Sequence, residues 1–265
     1  MTMDLGLSEK VALVAASSQG LGKAVAMGLA QEGAKVVICA RNKERLEATR
    51  DEIQAKTGAE VLSIQADLTK EHDIKDLVAA TLNTFGTIHI LVNNAGGPPP
   101  GFFRDLSDDD WIKAFELTLM SSVRLTREVL PPMKKQKWGR IINITSVSVK
   151  QPIDNLLLSN SLRLGVLGWA KTLAGQTAAE GILINNVCPG WTRTERVVEL
   201  IQARAKTEGS TPEVVEKQIM GGIPIGRMGN PEEFASLVVF LASERASYIT
   251  GTSIQVDGGA VKAIY

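Results

Sequence analysis

Tyrosine is almost absent from this chain. Its 265 residues hold two, Tyr248 and Tyr265, both close to the C-terminus. A phenol acting as proton donor has to come from the end of the sequence or from nowhere. Histidine is as scarce: His72 opens a helical pattern and His89 a strand pattern, positions that favour local surface and packing roles. Cys39 and Cys188 both lie in apolar, strand-like runs. That excludes a disulfide framework, argues against a metal site, and reads as two reduced core thiols. Net charge is missing too. Lys+Arg and Asp+Glu each number 29, so no field draws in nucleic acid or an anionic membrane. No apolar run approaches the ~20 residues of a membrane span. The opening "MTMDLGLSEK" lacks the basic flank and apolar stretch of a secretion signal, and a cytoplasmic protein is the expectation.

What is present is a regular alternation. Hydrophobic residues make up 44% of the chain and charged residues 22%, enough for one large core with an ordinary soluble surface. Short apolar runs, "KVALVAA", "AKVVICA", "EVLSIQA", "IHILVNN", "GRIINIT", "ILINNVC" and "SIQVD", are separated by amphipathic helical patterns such as Leu21–Gln31 and Arg45–Lys56. Near-continuous apolar strands alternating with helices predict a parallel sheet of about seven strands with helices on both faces. No linker, repeat or low-complexity stretch divides the chain, so residues 1–265 read as a single doubly wound α/β domain. One segment breaks the rhythm. Residues 193–225 form a charged helical excursion interrupted by "EGSTP" and ending in "GGIPIG". It follows a strand at the end where such sheets bind ligands, which predicts a substrate lid rather than a plain surface excursion.

The first strand runs into "AASSQGLGKAVAMGLA", with Gly20 and Gly22 at the turn into a helix. There the backbone can pass close to a pyrophosphate, facing free N–H groups at the positive end of the helix dipole. The second strand ends in Ala40 and Arg41. A carboxylate there would accept hydrogen bonds from a ribose 2′-hydroxyl, whereas a guanidinium pairs with a 2′-phosphate. Arg41, with the Ser17 hydroxyl nearby, therefore predicts NADP(H) rather than NAD(H). The plainer reading of Arg41 is the solvated start of a helix.

Further motifs follow in order: "ADLT" with Asp67 and Leu68, "NNAG" from Asn93 to Gly96, "CPGWTRT" from Cys188 to Thr194, and "ASYITGTSIQVDGG". With these the chain resembles the short-chain dehydrogenase/reductase family over nearly its whole length, the 3-oxoacyl-[acyl-carrier-protein] reductases being the nearest analogy. The resemblance implies a Rossmann fold. The family's glycine motif, Thr-Gly-x-x-x-Gly-x-Gly, here reads Ala15 to Gly22 with Ala16 at the first glycine, a tolerated change if the φ angle of Ala16 is negative. It also implies cofactor contacts from Ser17, Gln19, Gly20, Leu21 and Gly22. Asp67 and Leu68 would flank the adenine, Asn94, Ala95 and Gly96 would line the nucleotide cleft, and Pro189, Gly190, Thr192 and Thr194 would face the nicotinamide. Tyr248 falls in a motif with a packing role in the family. A dimer or tetramer is implied as well, with the helices through Thr118 and Ser159 burying apolar faces against a twin and Trp169 as a candidate contact.

The same resemblance exposes what is missing. Family members carry Asn, Ser, Tyr and Lys as a catalytic set, the Tyr giving a proton to the substrate oxygen while hydride moves to carbon. Ser146 occupies the Ser position just past the fifth strand, but the Tyr position holds Ser159, the Lys position Arg163 and the Asn position Thr118. A serine hydroxyl is far less acidic than a phenol, and an arginine does not cycle a proton, although it can bind ribose hydroxyls and stabilise an oxyanion. Thr118 is expected to bond a helix carbonyl. Lys150, four residues past Ser146, is a donor or a surface charge; Asp154 and Asn155 read as helix N-caps. "GGPPPGFF" reads as a stiff apolar wall suited to a partly apolar small-molecule substrate, or as a proline-stiffened surface loop. Two functions follow: an NADP(H)-dependent oxidoreductase with an altered site, acting on a carbonyl or alcohol, and a redox-inactive nucleotide-binding sensor or partner. A lyase or isomerase using the same pocket stays open, since fold does not decide chemistry.

Overall fold

The computed structural model describes residues 4–264. Seven strands, β1 (Val11–Val14), β2 (Lys35–Ala40), β3 (Val61–Gln65), β4 (Ile90–Asn93), β5 (Gly139–Ile144), β6 (Ile182–Pro189) and β7 (Ser253–Val256), form one sheet in the order β3-β2-β1-β4-β5-β6-β7. Every neighbouring pair is parallel. The helices are α1 (Gly20–Gln31), α2 (Lys43–Thr57), α3 (Glu71–Phe85), α4 (Asp108–Phe115), α5 (Ser121–Gln136), α6 (Leu157–Thr177), α7 (Glu195–Glu208), α8 (Pro212–Gly221) and α9 (Pro231–Ala242). This is the single doubly wound α/β domain that the alternation predicts, with each of the seven apolar runs becoming a strand.

Strand side chains point alternately to opposite faces, so both faces must be apolar for the sheet to be covered twice. Ala12, Val14, Val36, Ile38, Ile90 and Val92 pack into one core with Leu29 of α1, Leu46 of α2 and Phe234 of α9. Leu13, Val37, Cys39 and Leu91 face the other way, onto Leu77 of α3, Val129 of α5 and Ala170 of α6. Both cysteines are buried and unpaired, as their surroundings predict. Among the described residues no helix is long and apolar enough to cross a membrane.

The predicted excursion is a helical hairpin, α7 and α8, beyond the carboxyl end of β6. It closes its own small core around Ile201, Ala205, Val215 and Ile219. Three local expectations fail. Tyr248 is fully exposed rather than packed. Neither Asp154 nor Asn155 caps α6: the N-cap is Leu156, and the Asn160 side chain instead reaches back to Ile153. Asn155 takes φ +56°, tolerable for asparagine, and its carbonyl accepts from the Gly101 amide at 2.7 Å. Tyr265 lies outside the described residues. His72 pairs with Asp73 on the surface, and His89 packs edge-on against Trp138 while its Nδ1 accepts from the Val11 amide, the local roles expected.

Candidate active site

The strand order reverses between β1 and β4, and such a switch point opens a crevice at the carboxyl ends of the strands. The chain fills its rim with the β1–α1 turn. Helix α1 begins at Gly20, its N-cap Gln19 makes no side-chain cap, and no acidic residue stands in its first turn. By contrast α2 is capped by Asn42 and α4 by a Ser107–Asp110 box. The α1 amides are therefore free to meet an anion. Gly20 has φ +55°, and a Cβ on Gly22 would lie 2.5 Å from the Ala16 carbonyl oxygen and 2.8 Å from Asn94 Nδ2. Only glycine lets the turn close this far, and the resulting cradle fits a dinucleotide pyrophosphate.

Ala16 does not behave as expected. Its φ is +47°, in the left-handed region where a Cβ costs about 1–2 kcal/mol. The first glycine position of the motif thus takes a left-handed backbone although an alanine fills it. The strain is held by contacts: Ala16 O accepts from Asn94 Nδ2 at 3.1 Å, and Gly22 abuts the same oxygen. Ser17 is a second correction. It is fully buried, its hydroxyl donating to Val14 O at 2.7 Å and accepting from the Cys39 amide at 3.2 Å. It ties β1 to β2 and is not available to a 2′-phosphate.

Arg41 is exposed at the end of β2, where Gln65 bonds its carbonyl. Asp67 lies nearby with the Thr69 amide and hydroxyl on its carboxylate. Burial pushes the Asp67 carboxyl up, but those bonds and the charge of Arg41 outweigh it and hold the group below its ordinary range. Leu68 is buried beside it. Leu21 packs against the α1 core. The sequence reading overlooked Arg45, in the first turn of α2 and four residues past Arg41, whose guanidinium hydrogen-bonds Gln19. A second cation thus stands over the glycine turn, beside a groove of about 420 Å³ lined also by Ser18, Lys23 and Thr49 and by the carboxylates of Glu52, Glu195 and Glu199.

Across the cleft, Ser146 ends the turn after β5, its Oγ accepting from the Ser148 amide at 3.1 Å with its own hydrogen free. Ser159 and Arg163 lie one turn apart on α6, both buried. Arg163 Nε donates to Ser159 Oγ at 3.1 Å, and Nη1 donates to the carbonyls of Ile144 at 3.1 Å and Thr145 at 2.9 Å. The guanidinium therefore knits α6 to the end of β5. Burial lowers its pKa from the usual arginine range to about 10, with Cys188 opposing and Arg196 adding to the shift. Cys188 sits 3.2 Å from Thr145 Oγ1; burial pushes its thiol up, against the pull of Thr145, Lys150 and Arg163.

Thr118 makes no bond to a helix carbonyl, contrary to expectation. It stands in a π turn, Glu116–Met120, between α4 and α5, where Ser121 and Ser122 take the nearby carbonyls of Leu117 and Leu119. Its buried Oγ1 has no partner, and neither has Oδ1 of Asn93. Both residues line a cavity of about 20 Å³ together with Asn94, Ala95 and Arg163. That is polar enough and just large enough for one water. Asn93 is a further residue that sequence reasoning passed over. Its amide starts a ladder across the sheet, from Asn93 Nδ2 to Asn143 at 2.8 Å and from Asn143 Nδ2 to Asn186 at 2.9 Å.

The remaining predicted positions close the rim. Gly96 has open space around it, and the loop beyond it turns Phe102 and Phe103 outward to solvent, so its aromatic rings form no inner wall. Pro189 ends β6, the Gly190 amide donates to Val256 O, and Thr192 is buried. Thr194 caps α7 by accepting from the Val197 amide at 3.4 Å. Arg196, on the first turn of α7, reaches over to the Pro98 carbonyl at 2.9 Å. Nothing in the sequence pattern of a charged helix marks that residue out.

An uncapped helix behind a glycine turn at the switch point, facing a serine at the end of β5, defines a nucleotide-dependent oxidoreductase frame. Residues 15–261 match the family model described as enoyl-(acyl carrier protein) reductase, and the chain belongs to the short-chain dehydrogenase/reductase family. It is 35% identical to the 3-oxoacyl-[acyl-carrier-protein] reductase of Aquifex aeolicus, over 97% of this chain and 99% of that one. It is also 35% identical to the D-beta-hydroxybutyrate dehydrogenase of Rhizobium meliloti, over 94% and 98%. Among solved structures it is similar to the L-sorbose reductase of Gluconobacter frateurii complexed with NADPH and L-sorbose. There the TM-score is 0.94 at 33% identity, covering 99% of this chain and all of the other.

Proposed function

We propose that the protein is an NADP(H)-dependent reductase of a small, partly apolar carbonyl compound, working without the family's tyrosine. The observation that carries this is the intact backbone cradle, Gly20 and Gly22 before an uncapped α1, opposite the free hydroxyl hydrogen of Ser146. Arg41 and Arg45 supply the positive charge for a 2′-phosphate, and the NADPH complex of the sorbose reductase supports the same cofactor. When bound, the nicotinamide supplies hydride to the carbonyl carbon. The Ser146 hydroxyl and the Arg163 guanidinium hold the carbonyl oxygen and stabilise the alkoxide as it forms. Ser159 keeps Arg163 in place and is no acid itself. The alkoxide takes its proton from water, one molecule of which fits the cavity beside Thr118 and Asn93. Residues 193–225 act as the lid. Exposed Ile112, Phe115 and Leu164 on α4 and α6 support assembly as a dimer or tetramer, and the two free, buried cysteines accord with a cytoplasmic location.

The test is oxidation of NADPH and NADH against ketones, aldehydes and acetoacetyl thioesters, with wild-type protein and Arg41→Ala. We expect turnover with NADPH preferred, and a loss of that preference in the variant. Wild-type protein that treats the two cofactors alike overturns the NADP(H) assignment. A silent panel, with turnover created by Ser159→Tyr plus Arg163→Lys, overturns the reductase and leaves a nucleotide-binding protein.

A further inference from the structure

The hairpin of α7 and α8 is packed as a body of its own. Its core of Ile201, Ala205, Val215 and Ile219 takes no side chain from a strand of the sheet. Arg193 pairs with Glu216 at 2.6 Å and Arg204 bonds Gln218 at 3.2 Å, joining its two halves. Backbone pins hold its ends. Trp191 O accepts from the Gly229 amide at 3.0 Å, the Arg193 amide donates to Gly229 O at 2.8 Å, and the Ile225 amide donates to Gly258 O at 3.3 Å. Just inside the first pin, residues 194–196 cross the switch-point crevice from lip to lip. On the β1–α1 turn, the Thr194 methyl and a Glu195 carboxylate oxygen each lie 3.5 Å from where a Cβ on Gly20 would stand. On the loop after β4, Arg196 Nη2 donates to Pro98 O at 2.9 Å, and the guanidinium lies 3.5–3.9 Å from the Cβ position of Gly97. Glu199, 3.6 Å from Arg196, belongs to the same helix, so that pair moves with the crossing segment and fastens it to nothing else.

We infer that residues 194–196 are a strap that closes the empty cofactor cradle, bolted by the hydrogen bond from Arg196 to Pro98 O. This rests on the cofactor half of the reductase reading, to which it adds a control. The space between the strap and Gly20 takes a Cβ in ordinary van der Waals contact. A phosphate is wider than that, so a dinucleotide reaches the α1 amides only when the strap lifts. The strap has little grip, because Gly20 offers no side chain and the bolt is a single hydrogen bond from a charged donor. Lifting swings the hairpin about its backbone pins and leaves its small core closed. The Glu195 carboxylate stands over the same turn, so the negative charge of a pyrophosphate there pushes the strap outward. Closed and open forms then compete, and the bolt sets the fraction of molecules ready to bind.

The experiment mixes the full chain with NADPH in a stopped-flow instrument, following tryptophan quenching, and measures the dissociation constant by calorimetry. Arg196→Met should raise the association rate about tenfold, the scale of one charge-assisted bond. The dissociation rate should stay as it is, so binding tightens by the same factor. Arg196→Lys keeps a donor for Pro98 O and should stay near the wild type. Arg204→Met, whose lost bonds lie within the hairpin, should do the same. An arginine that holds the cofactor gives the reverse. Arg196→Met would then bind NADPH more weakly through faster dissociation, and that overturns the strap. Rates and affinity that Arg196→Met leaves alone overturn it too, while the cofactor reading stands. A wild type that binds neither NADPH nor NADH, with Arg196→Met equally silent, sinks the cofactor reading and the strap with it.

Discussion

On the β1–β3 side of the cleft the chain departs from its family at Ala16, and the backbone holds the glycine conformation regardless, at φ +47°. On the β5–β6 side the positions that the family resemblance gives to Asn, Tyr and Lys hold Thr118, Ser159 and Arg163, and there Arg163 binds strand carbonyls, Thr118 faces a cavity and Ser159 supports Arg163. In the proposed function the cofactor side works through main-chain atoms, whose positions are set by packing and tolerate an altered side chain at some strain. The proposed catalytic side works through side-chain functional groups, where a different side chain is different chemistry.

The largest effect that can test this contrast is at Gly22. A Cβ there meets backbone, Ala16 O at 2.5 Å and Ser17 Cα at 2.9 Å, which cannot yield as a flexible side chain would. Gly22→Ala should cost about 3 kcal/mol, the upper end for overpacking, and weaken NADPH binding about a hundredfold; fluorescence titration measures it. Next is Arg163→Met, which strips donors from Ile144 O and Thr145 O. It should destabilise the fold by about 2 kcal/mol in urea, the cost of buried acceptors left unpaired, with less change in NADPH affinity than Gly22→Ala produces. The reverse pattern, affinity lost with stability kept, would erase the division between the two sides.

Ala16→Gly should act in the opposite direction, stabilising the fold by about 1 kcal/mol by relieving left-handed strain while NADPH affinity does not fall. An unchanged urea midpoint would mean the strain is not there. The smallest effect lies at the far end of the sheet. Burial and Lys10 lower the pKa of His89 below its ordinary 6.5, and its neutral Nδ1 accepts from Val11. Between the folded value and about 6.5 the unfolded chain binds more protons. Stability is therefore full above about pH 6.5 and declines as pH falls toward the folded value, and His89→Gln should flatten that slope while leaving both sides of the cleft untouched.

Most of the fold was legible because its signals are local: apolar runs of strand length, glycines at one turn, and amphipathic segments between. Helix α1 starts at Gly20 and α2 at Lys43, within two residues of the patterns. The ordered motifs were legible along the chain, but the direction of a side chain within them was not. Ser17 points into the sheet rather than the cleft, and Arg45 reaches Gln19 from another helix. Spacing says nothing about either. Asp154 and Asn155 failed as caps because the chain is drawn into a turn that bonds Gly101, a contact more than fifty residues away in sequence.

The sequence by itself determined a doubly wound parallel sheet, a glycine turn after its first strand, and a serine where the family resemblance expects a tyrosine, because periodicity and residue identity are properties of the chain read along its length. Only the tertiary structure decided what the replacements do. That Arg163 is buried against β5 carbonyls, that Thr118 and Asn93 share a cavity, and that Arg196 spans from α7 to Pro98 all depend on which groups from distant segments meet. In a close-packed interior that meeting is settled by the whole fold at once.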